Sequence, residues 1–176
     1  MEQIRQLETL LPKWQSVRHV GDSACAAAAN CLDIIATSDL GMAAFENHDR
    51  STLDAGMSFL ILHGLLQVLV QQQDAVDRLC EIVGCQIADA DRVTAKLKSV
   101  RNLRNDITGH PANRGGGRCQ FVIQRGTQHQ TRIGVYCFDA LGHMAFRELD
   151  LVADCIIQQR KVVKTRLDDI KSHLTI

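Results

Sequence analysis

The most apolar stretch of the chain, MSFLILHGLLQVLV, begins at Met57 and ends at Val70. Its apolar side chains would point to all sides of a helix, which is typical of a helix buried at the centre of a domain. The stretch contains His63 and Gln67, and it is shorter than the roughly 18 residues that indicate a transmembrane helix. It therefore predicts a central core helix and no membrane span.

Apolar residues at helical spacing recur on both sides of this stretch, whereas aromatic residues make up only 4 % of the chain. This composition favours helices packed through aliphatic side chains. We expect a single all-α domain over residues 1–176, an antiparallel bundle of roughly four to six helices. The first two predicted helices cover residues 2–19, where Pro12 kinks the helix or starts a second one, and residues 22–47. A long helix is expected from a cap at Ser51 or Thr52 to Val83, and the next from a cap at Asp89 or Asp91 to Gly109. The closing helix covers residues 149–174.

The remaining boundaries follow from single residues. Asp22 or Ser23 is the expected N-cap of the second helix, and Ser38 and Gly41 could interrupt it. Gly84 is expected to close the long helix, because glycine readily adopts the left-handed conformation of a helix C-terminus.

Two short segments depart from the helical pattern. CQFVIQR and RIGVYCF are rich in β-branched and aromatic residues, and GTQHQT lies between them. This arrangement predicts a small β-hairpin inserted near residues 119–138.

The 7 cysteines are an odd number, and no pair has C-x-x-C spacing. We expect reduced thiols in a cytoplasmic protein rather than a disulfide framework or a zinc site. The first residues, MEQIRQLETL, lack the apolar core of a signal peptide. No cofactor or metal is predicted.

A net charge of zero hides a strong asymmetry along the chain. Residues 1–91 contain 5 basic and 13 acidic residues, a net charge of −8, whereas residues 92–133 contain 9 basic residues and one acid, a net charge of +8. The basic segment indicates a surface that faces an anion. The alternative is that acidic and basic helices neutralise one another within the fold.

An arginine interrupts the apolar stripe of the fourth predicted helix, in the stretch RNLRNDITGHP. Val93, Leu97, Val100 and Ile107 recur at steps that fit one helix face, and the missing member of that face is Arg104. A cation on an apolar stripe is costly unless it has an anionic partner or faces a wet cleft.

Two interpretations of Arg104 are open. It could be a structural arginine tied to Asp74, which shares a polar face of the long helix with Gln67. Alternatively, Arg104, Asn105 and His110 surround one opening at the helix end. Together they would supply a fixed charge, an amide and a titratable imidazole, a set that suits a phosphate.

These residues resemble the motif of the HEPN superfamily, helical domains of which many are metal-independent endoribonucleases. The family motif is an arginine followed after a few residues by a histidine, often with a polar residue directly after the arginine. Here Asn105 follows Arg104, and five residues separate Arg104 from His110. Some family toxins carry a tyrosine two residues after the histidine, which a partner nucleotidyltransferase modifies; here that position is Ala112.

The resemblance implies an endoribonuclease of the toxin or phage-defence type that cleaves RNA by attack of its 2′-hydroxyl. Arg104, Asn105 and His110 would be catalytic, and Asp74 would orient them. The expected RNA-binding residues are Arg101, Asn113, Arg114 and Arg118. The site would lie in a homodimer, and an antitoxin or a nucleotidyltransferase is the kind of partner that the family uses. The alternative is a non-catalytic HEPN-like module that binds a nucleotide or a protein.

Overall fold

Helix α3, Ala55–Val83, is the element against which α2 and α5 pack. The structure, a computed structural model, describes residues 2–19, 21–49, 53–85, 98–109, 119–123 and 131–175. In chain order the helices around α3 are α1, Glu2–Arg18, α2, Asp22–Asn47, α4, described over residues 98–104, and α5, Ile157–Leu174. The predicted helical bundle with a small β insertion is confirmed.

The core consists of two apolar clusters that share α3. Its C-terminal half, including Val76 and Leu79, packs with α1, α2 and α5. Its middle, including Leu65 and Leu69, packs with α4 and the β-sheet. The predicted central position of this helix is therefore correct from Leu62 onward, but its first two turns leave apolar side chains exposed.

The ends of α3 illustrate what a single residue can specify. Gly84 closes the helix with a φ of 72°, in the left-handed conformation expected of it. The predicted start was wrong, because Asp54 is the N-cap and its carboxylate accepts a hydrogen bond of 2.7 Å from the backbone N–H of Met57.

Among the described residues α3 is the one helix whose length and mean hydropathy, 1.3, would suit a membrane span. In the most apolar stretch of this helix, 39 % is buried within the fold.

Helices α1 and α2 are each continuous, so the interruptions considered from sequence do not occur. Pro12 lies inside α1. The N-cap of α2 is Gly21, one residue before Asp22 and two before Ser23, and the helix passes Ser38 and Gly41 unbroken. A Cβ atom at Gly41 would lie 3.3 Å from the side chain of Val68, so this glycine allows close packing of α2 on α3.

The β insertion is a three-stranded antiparallel sheet in the order β1-β2-β3, with β1 Cys119–Ile123, β2 Arg132–Asp139 and β3 Met144–Asp150. The predicted hairpin corresponds to β1 and β2. Strand β3 was not predicted, and it shortens the closing helix, which follows a π-helical segment over Leu151–Ile156. The inner face of the sheet packs into the second core cluster through Ile133 and Val135.

Three glutamines form a buried hydrogen-bonded network between α3 and α5. Gln73 Nε2 donates to Gln159 Oε1 at 2.8 Å, and Gln159 Nε2 donates to Gln72 Oε1 at 3.0 Å and to the carbonyl of Leu69 at 2.6 Å. Gln159 is 1 % exposed. Buried amides of this kind are tolerated because most of their hydrogen bonds are made within the protein; Gln73 Oε1 is the atom of this network that has no partner among the described residues.

Replacing Gln159 with alanine is therefore expected to destabilise the fold by about 2–4 kcal/mol, because it leaves a cavity and removes the partners of three polar groups. The measurement is the free energy of unfolding in urea. The matched control is Gln158→Ala, one residue earlier and half-buried, which should cost less than about 1 kcal/mol. Equal losses from the two variants would contradict the importance of the network.

Candidate functional site

Arg104 is the last residue of α4, and its guanidinium is held by two neutral amides. Its Nη2 and Nε donate to Gln67 Oε1 at 3.0 and 3.3 Å, and its Nη1 donates to Asn105 Oδ1 at 2.9 Å. Within the described residues it forms no ion pair. The side chain is thus fixed in position, and no carboxylate among the described residues neutralises its positive charge.

The carboxylate that could have neutralised Arg104 is taken by its neighbour one turn earlier. Arg101 Nη2 lies 2.7 Å from Asp74 Oδ1, and their side chains are 37 % and 61 % exposed. The pairing of Arg104 with Asp74 considered from sequence is therefore not found. The helices α3 and α4 bring Arg101 opposite Asp74 and Arg104 opposite Gln67.

The apolar stripe of α4 also differs from the predicted one. Val100, Leu103 and Ile107 are buried at steps of three and four, so Leu103 occupies the core position that sequence spacing assigned to residue 104. Arg104 lies at the edge of this stripe and is half-buried. It does not pay the cost of a cation in the core, so an internal carboxylate is not required. Val93 and Leu97 lie outside the described residues.

A π-helical segment, π1, Asn105–Gly109, follows Arg104 directly. The hydroxyl of Thr108 donates to the carbonyl of Arg104 at 2.8 Å, which ties the segment to the arginine. A π-turn is wider than an α-turn because its backbone hydrogen bonds join residues five apart. Single π-turns of this kind occur frequently at functional sites.

Asn105 has a defined orientation because arginine can only donate hydrogen bonds. The atom that faces Arg104 must therefore be the carbonyl oxygen of the amide, as the geometry has it. The Nδ2 group of Asn105 is then the end of the amide that can donate to a bound oxygen.

The next residue, Asp106, connects the end of α4 to the β-sheet. It is 8 % exposed, and its Oδ2 lies 3.5 Å from Nη2 of Arg147 on β3. Strand β1 also contacts π1. The sheet thus supports the end of α4, a role that the sequence did not indicate because β3 was not predicted.

Four of the predicted site residues can be assigned from the structure. Arg101, Arg104 and Asn105 lie along one seam between α3 and α4, together with Asp74. Gln67 joins them as the main hydrogen-bond partner of Arg104, and the polar face of the long helix was the signal for it. The other predicted site residues, His110, Asn113, Arg114 and Arg118, lie outside the described residues.

A groove between α2 and α3 adjoins this seam. It has a volume of about 550 Å³, an apolar floor that includes Ile34 and Val68, and a polar rim that includes Gln71, Asp74 and Arg78. Its size is within the range of small-molecule binding pockets. The sequence did not indicate this groove, because its shape depends on how α2 and α3 pack against each other.

Burial shifts the pKa of several other titratable groups among the described residues. The Nε2 atom of His63 is buried without a hydrogen-bond partner, and burial lowers the pKa of this imidazole from its ordinary value of 6.5. Burial raises the pKa of Cys80 and Cys155 to about 12, so these thiols are unreactive. Six cysteines of the described residues are thiols and form no disulfide, and no group of three His, Cys, Asp or Glu side chains within these residues could hold a metal ion.

Comparison of the chain with protein-family models, with curated proteins and with solved structures finds no match in any of the three.

Proposed function

We propose that the chain is a metal-independent endoribonuclease of the HEPN type, acting in the cytoplasm in toxin or phage-defence systems. The observation that carries the proposal is the guanidinium of Arg104, which two neutral amides hold in position and which has no ion pair within the part of the chain that the structure describes. A phosphate takes charge-assisted hydrogen bonds from such a group without first having to displace a carboxylate. The directly following π-turn, which leads to His110 in the sequence, supports the same site.

The proposed reaction uses only side chains of this chain. His110 accepts the proton of an RNA 2′-hydroxyl, and the 2′-oxygen forms a bond to the adjacent phosphorus. The bond from phosphorus to the 5′-oxygen breaks, and a second histidine protonates the leaving oxygen. The products are a 2′,3′-cyclic phosphate and a 5′-hydroxyl. Arg104 stabilises the negative charge that grows on the phosphate oxygens, and Asn105 donates through Nδ2.

The requirement for an acid and a base explains why we propose a homodimer. Each chain offers one histidine in the motif, so a second copy would contribute the other. The end of the 98–109 helix, which carries Arg104 and Asn105, would face its counterpart. Arg101 remains close to the site as a phosphate-binding residue, although its ion pair with Asp74 reduces its net charge contribution.

The direct test is cleavage of single-stranded RNA by purified protein with EDTA present, with a DNA strand of the same sequence as control. We expect RNA to be cut and DNA to survive, because DNA lacks the 2′-hydroxyl nucleophile. Activity should fall as salt rises, since phosphate contacts release counterions. Cleavage of DNA would contradict the mechanism. RNA binding without any cleavage would instead favour the non-catalytic binding module.

A further inference from the structure

The outer face of the β-sheet presents aromatic rings at the surface of the protein. We call the sheet outer face the set of side chains that point away from the bundle: Val122, Tyr136, Phe138, Met144 and Phe146. Val122, Tyr136 and Phe146 lie in one row across the three strands, and the Tyr136 and Phe146 ring centroids are 4.9 Å apart. Phe146 is 51 % exposed, and Tyr136 is half-buried. Three of the chain's seven aromatic residues thus lie on this face.

The opposite face of the sheet supplies its contribution to the core. Ile133 and Val135 belong to the same apolar cluster as Ile107 of π1, so the bundle and π1 lie on the inner side of the sheet. The outer rings are therefore not required for this packing. Exposed apolar side chains that cluster on one surface commonly mark a binding site.

The part of the sequence that contains β1 is basic. Residues 107–138 include four arginines and no acidic residue. Arg118 directly precedes β1, Arg125 follows two residues after its end, and Arg132 begins β2. A chain segment with this composition favours a polyanionic ligand, because each arginine can bind a phosphate.

The acidic residues of the sheet belong to the other side. Glu148 and Asp150 lie on β3, and Asp150 Oδ2 is 3.8 Å from Arg132 Nε. Asp139, at the end of β2, has its Oδ2 2.9 Å from His143 Nδ1. Two of these three carboxylates thus have a side-chain partner. The β1 edge is therefore the side of the sheet that suits a phosphate backbone.

We propose that the sheet outer face is a stacking surface for the bases of single-stranded RNA, whose sugar–phosphate backbone follows the β1 edge. Sheets with exposed aromatic side chains bind single-stranded RNA in this way, and basic side chains bind the backbone. Stacking tolerates any sequence, because every base has a π-face. Phe146 is the principal stacking residue, since it is the more exposed of the paired rings, and Tyr136 lies beside it.

The stacking surface is close enough to the candidate site for one RNA strand to reach both. Strand β1 is at the edge of the sheet and contacts π1, the segment that carries Asn105. Packed layers are about 10 Å apart, and phosphates in a strand are about 3.4 Å apart or more, so roughly three nucleotides lead around this edge. A homodimer that joins the α4 ends leaves the outer face free, because π1 lies on the inner side. The inference rests on the proposed function only in taking the stacked strand to be the substrate of Arg104.

The test is the affinity of the protein for a fluorescent 2′-O-methyl RNA of about 12 nucleotides, measured by anisotropy with EDTA present. This strand has no 2′-hydroxyl nucleophile, so binding is measured without cleavage. We expect Phe146→Ala to weaken binding by about 5–150-fold, the loss that follows removal of one stacking ring. Phe146→Trp should retain the affinity. The matched control is Leu40→Ala on α2, a residue 59 % exposed, which should bind like the wild type.

A second ligand separates stacking from a loss of structure. It is an abasic strand of the same length, which keeps the phosphates and has no bases. Wild type and Phe146→Ala should bind it equally, because there is no base to stack. Circular dichroism and thermal unfolding establish that each variant is folded. If Phe146→Ala does not fold, Phe146→Leu keeps an apolar side chain on the strand, removes the ring and provides the same test.

Three results would overturn the proposal: no binding of the base-bearing strand by the wild type, equal affinity of wild type and Phe146→Ala for it, or equal weakening for both strands. A change in sedimentation of Phe146→Ala with unchanged RNA affinity would assign the face to a protein partner instead. Cleavage of ordinary RNA is measured separately. Base-dependent binding through Phe146 without cleavage keeps the stacking surface and refutes the ribonuclease. Cleavage by a wild type whose affinity does not depend on Phe146 does the reverse.

Discussion

Replacing Arg104 with alanine is expected to slow RNA cleavage by about 10²–10³-fold, the loss typical of removing one charge-stabilising donor from an active site. The free energy of unfolding should change by no more than about 1 kcal/mol, because the hydrogen-bond partner Gln67 is exposed and can bind water instead. The measurements are the single-turnover cleavage rate and urea unfolding of the same preparations.

The matched control is Arg101→Ala, one turn away on the same helix. Its guanidinium is already paired with Asp74, so we expect only a modest loss of phosphate affinity and a rate close to that of the wild type. A second variant, Gln67→Glu, places a carboxylate against Arg104 and should lower activity by neutralising the guanidinium without removing it. A structural role for Arg104 would appear as a loss of several kcal/mol in stability. An equal loss of activity in Arg101→Ala would contradict a specific catalytic role for Arg104.

The positions of helices were predictable where one residue determines a local conformation. Gly84 ends α3 because glycine tolerates a φ of 72°. Gly41, in contrast, looked like a break in α2, and it is instead a close contact with Val68 on α3. The role of Gly84 follows from local backbone conformation, whereas the role of Gly41 depends on its contact with a neighbouring helix, which the sequence does not show.

Strand β3 was missed because its two faces do not alternate simply between apolar and polar. Its outward side chains include Met144 and Phe146, while Arg147 points inward to pair with Asp106. The period-2 pattern that identifies a strand is therefore blurred. The strand is difficult to recognise in the sequence because the side chains of its exposed face include apolar ones.

The candidate site was predictable in its residue types but not in its pairing. Apolar spacing at 3.6 residues per turn could not decide between positions 103 and 104 as the core position, and it gave no sign of the π-turn after Arg104. Whether Asp74 pairs with Arg101 or Arg104 depends on how α3 and α4 lie against each other. That arrangement is set by packing in the second core cluster.

Replacing His110 with alanine is expected to have the largest effect on activity of any single change. General acid–base catalysis typically contributes about 10²–10⁴-fold, and the motif histidine would supply both the acid and the base from two copies. The single-turnover cleavage rate should fall by at least that factor. The variant should keep the wild-type dimer, since His110 is proposed to act on protons and not to hold the copies together. Because it is prepared identically, it also controls for contaminating nuclease.

The most direct test of the ribonuclease proposal is chemical analysis of the RNA ends left by the wild type with EDTA present, compared with His110→Ala. Attack by the 2′-hydroxyl predicts 2′,3′-cyclic phosphate and 5′-hydroxyl ends that appear with the wild type and fall by at least about 10²-fold in the variant. Ends that carry a 3′-hydroxyl, a strict requirement for Mg²⁺, or undiminished cleavage by His110→Ala would contradict the proposal.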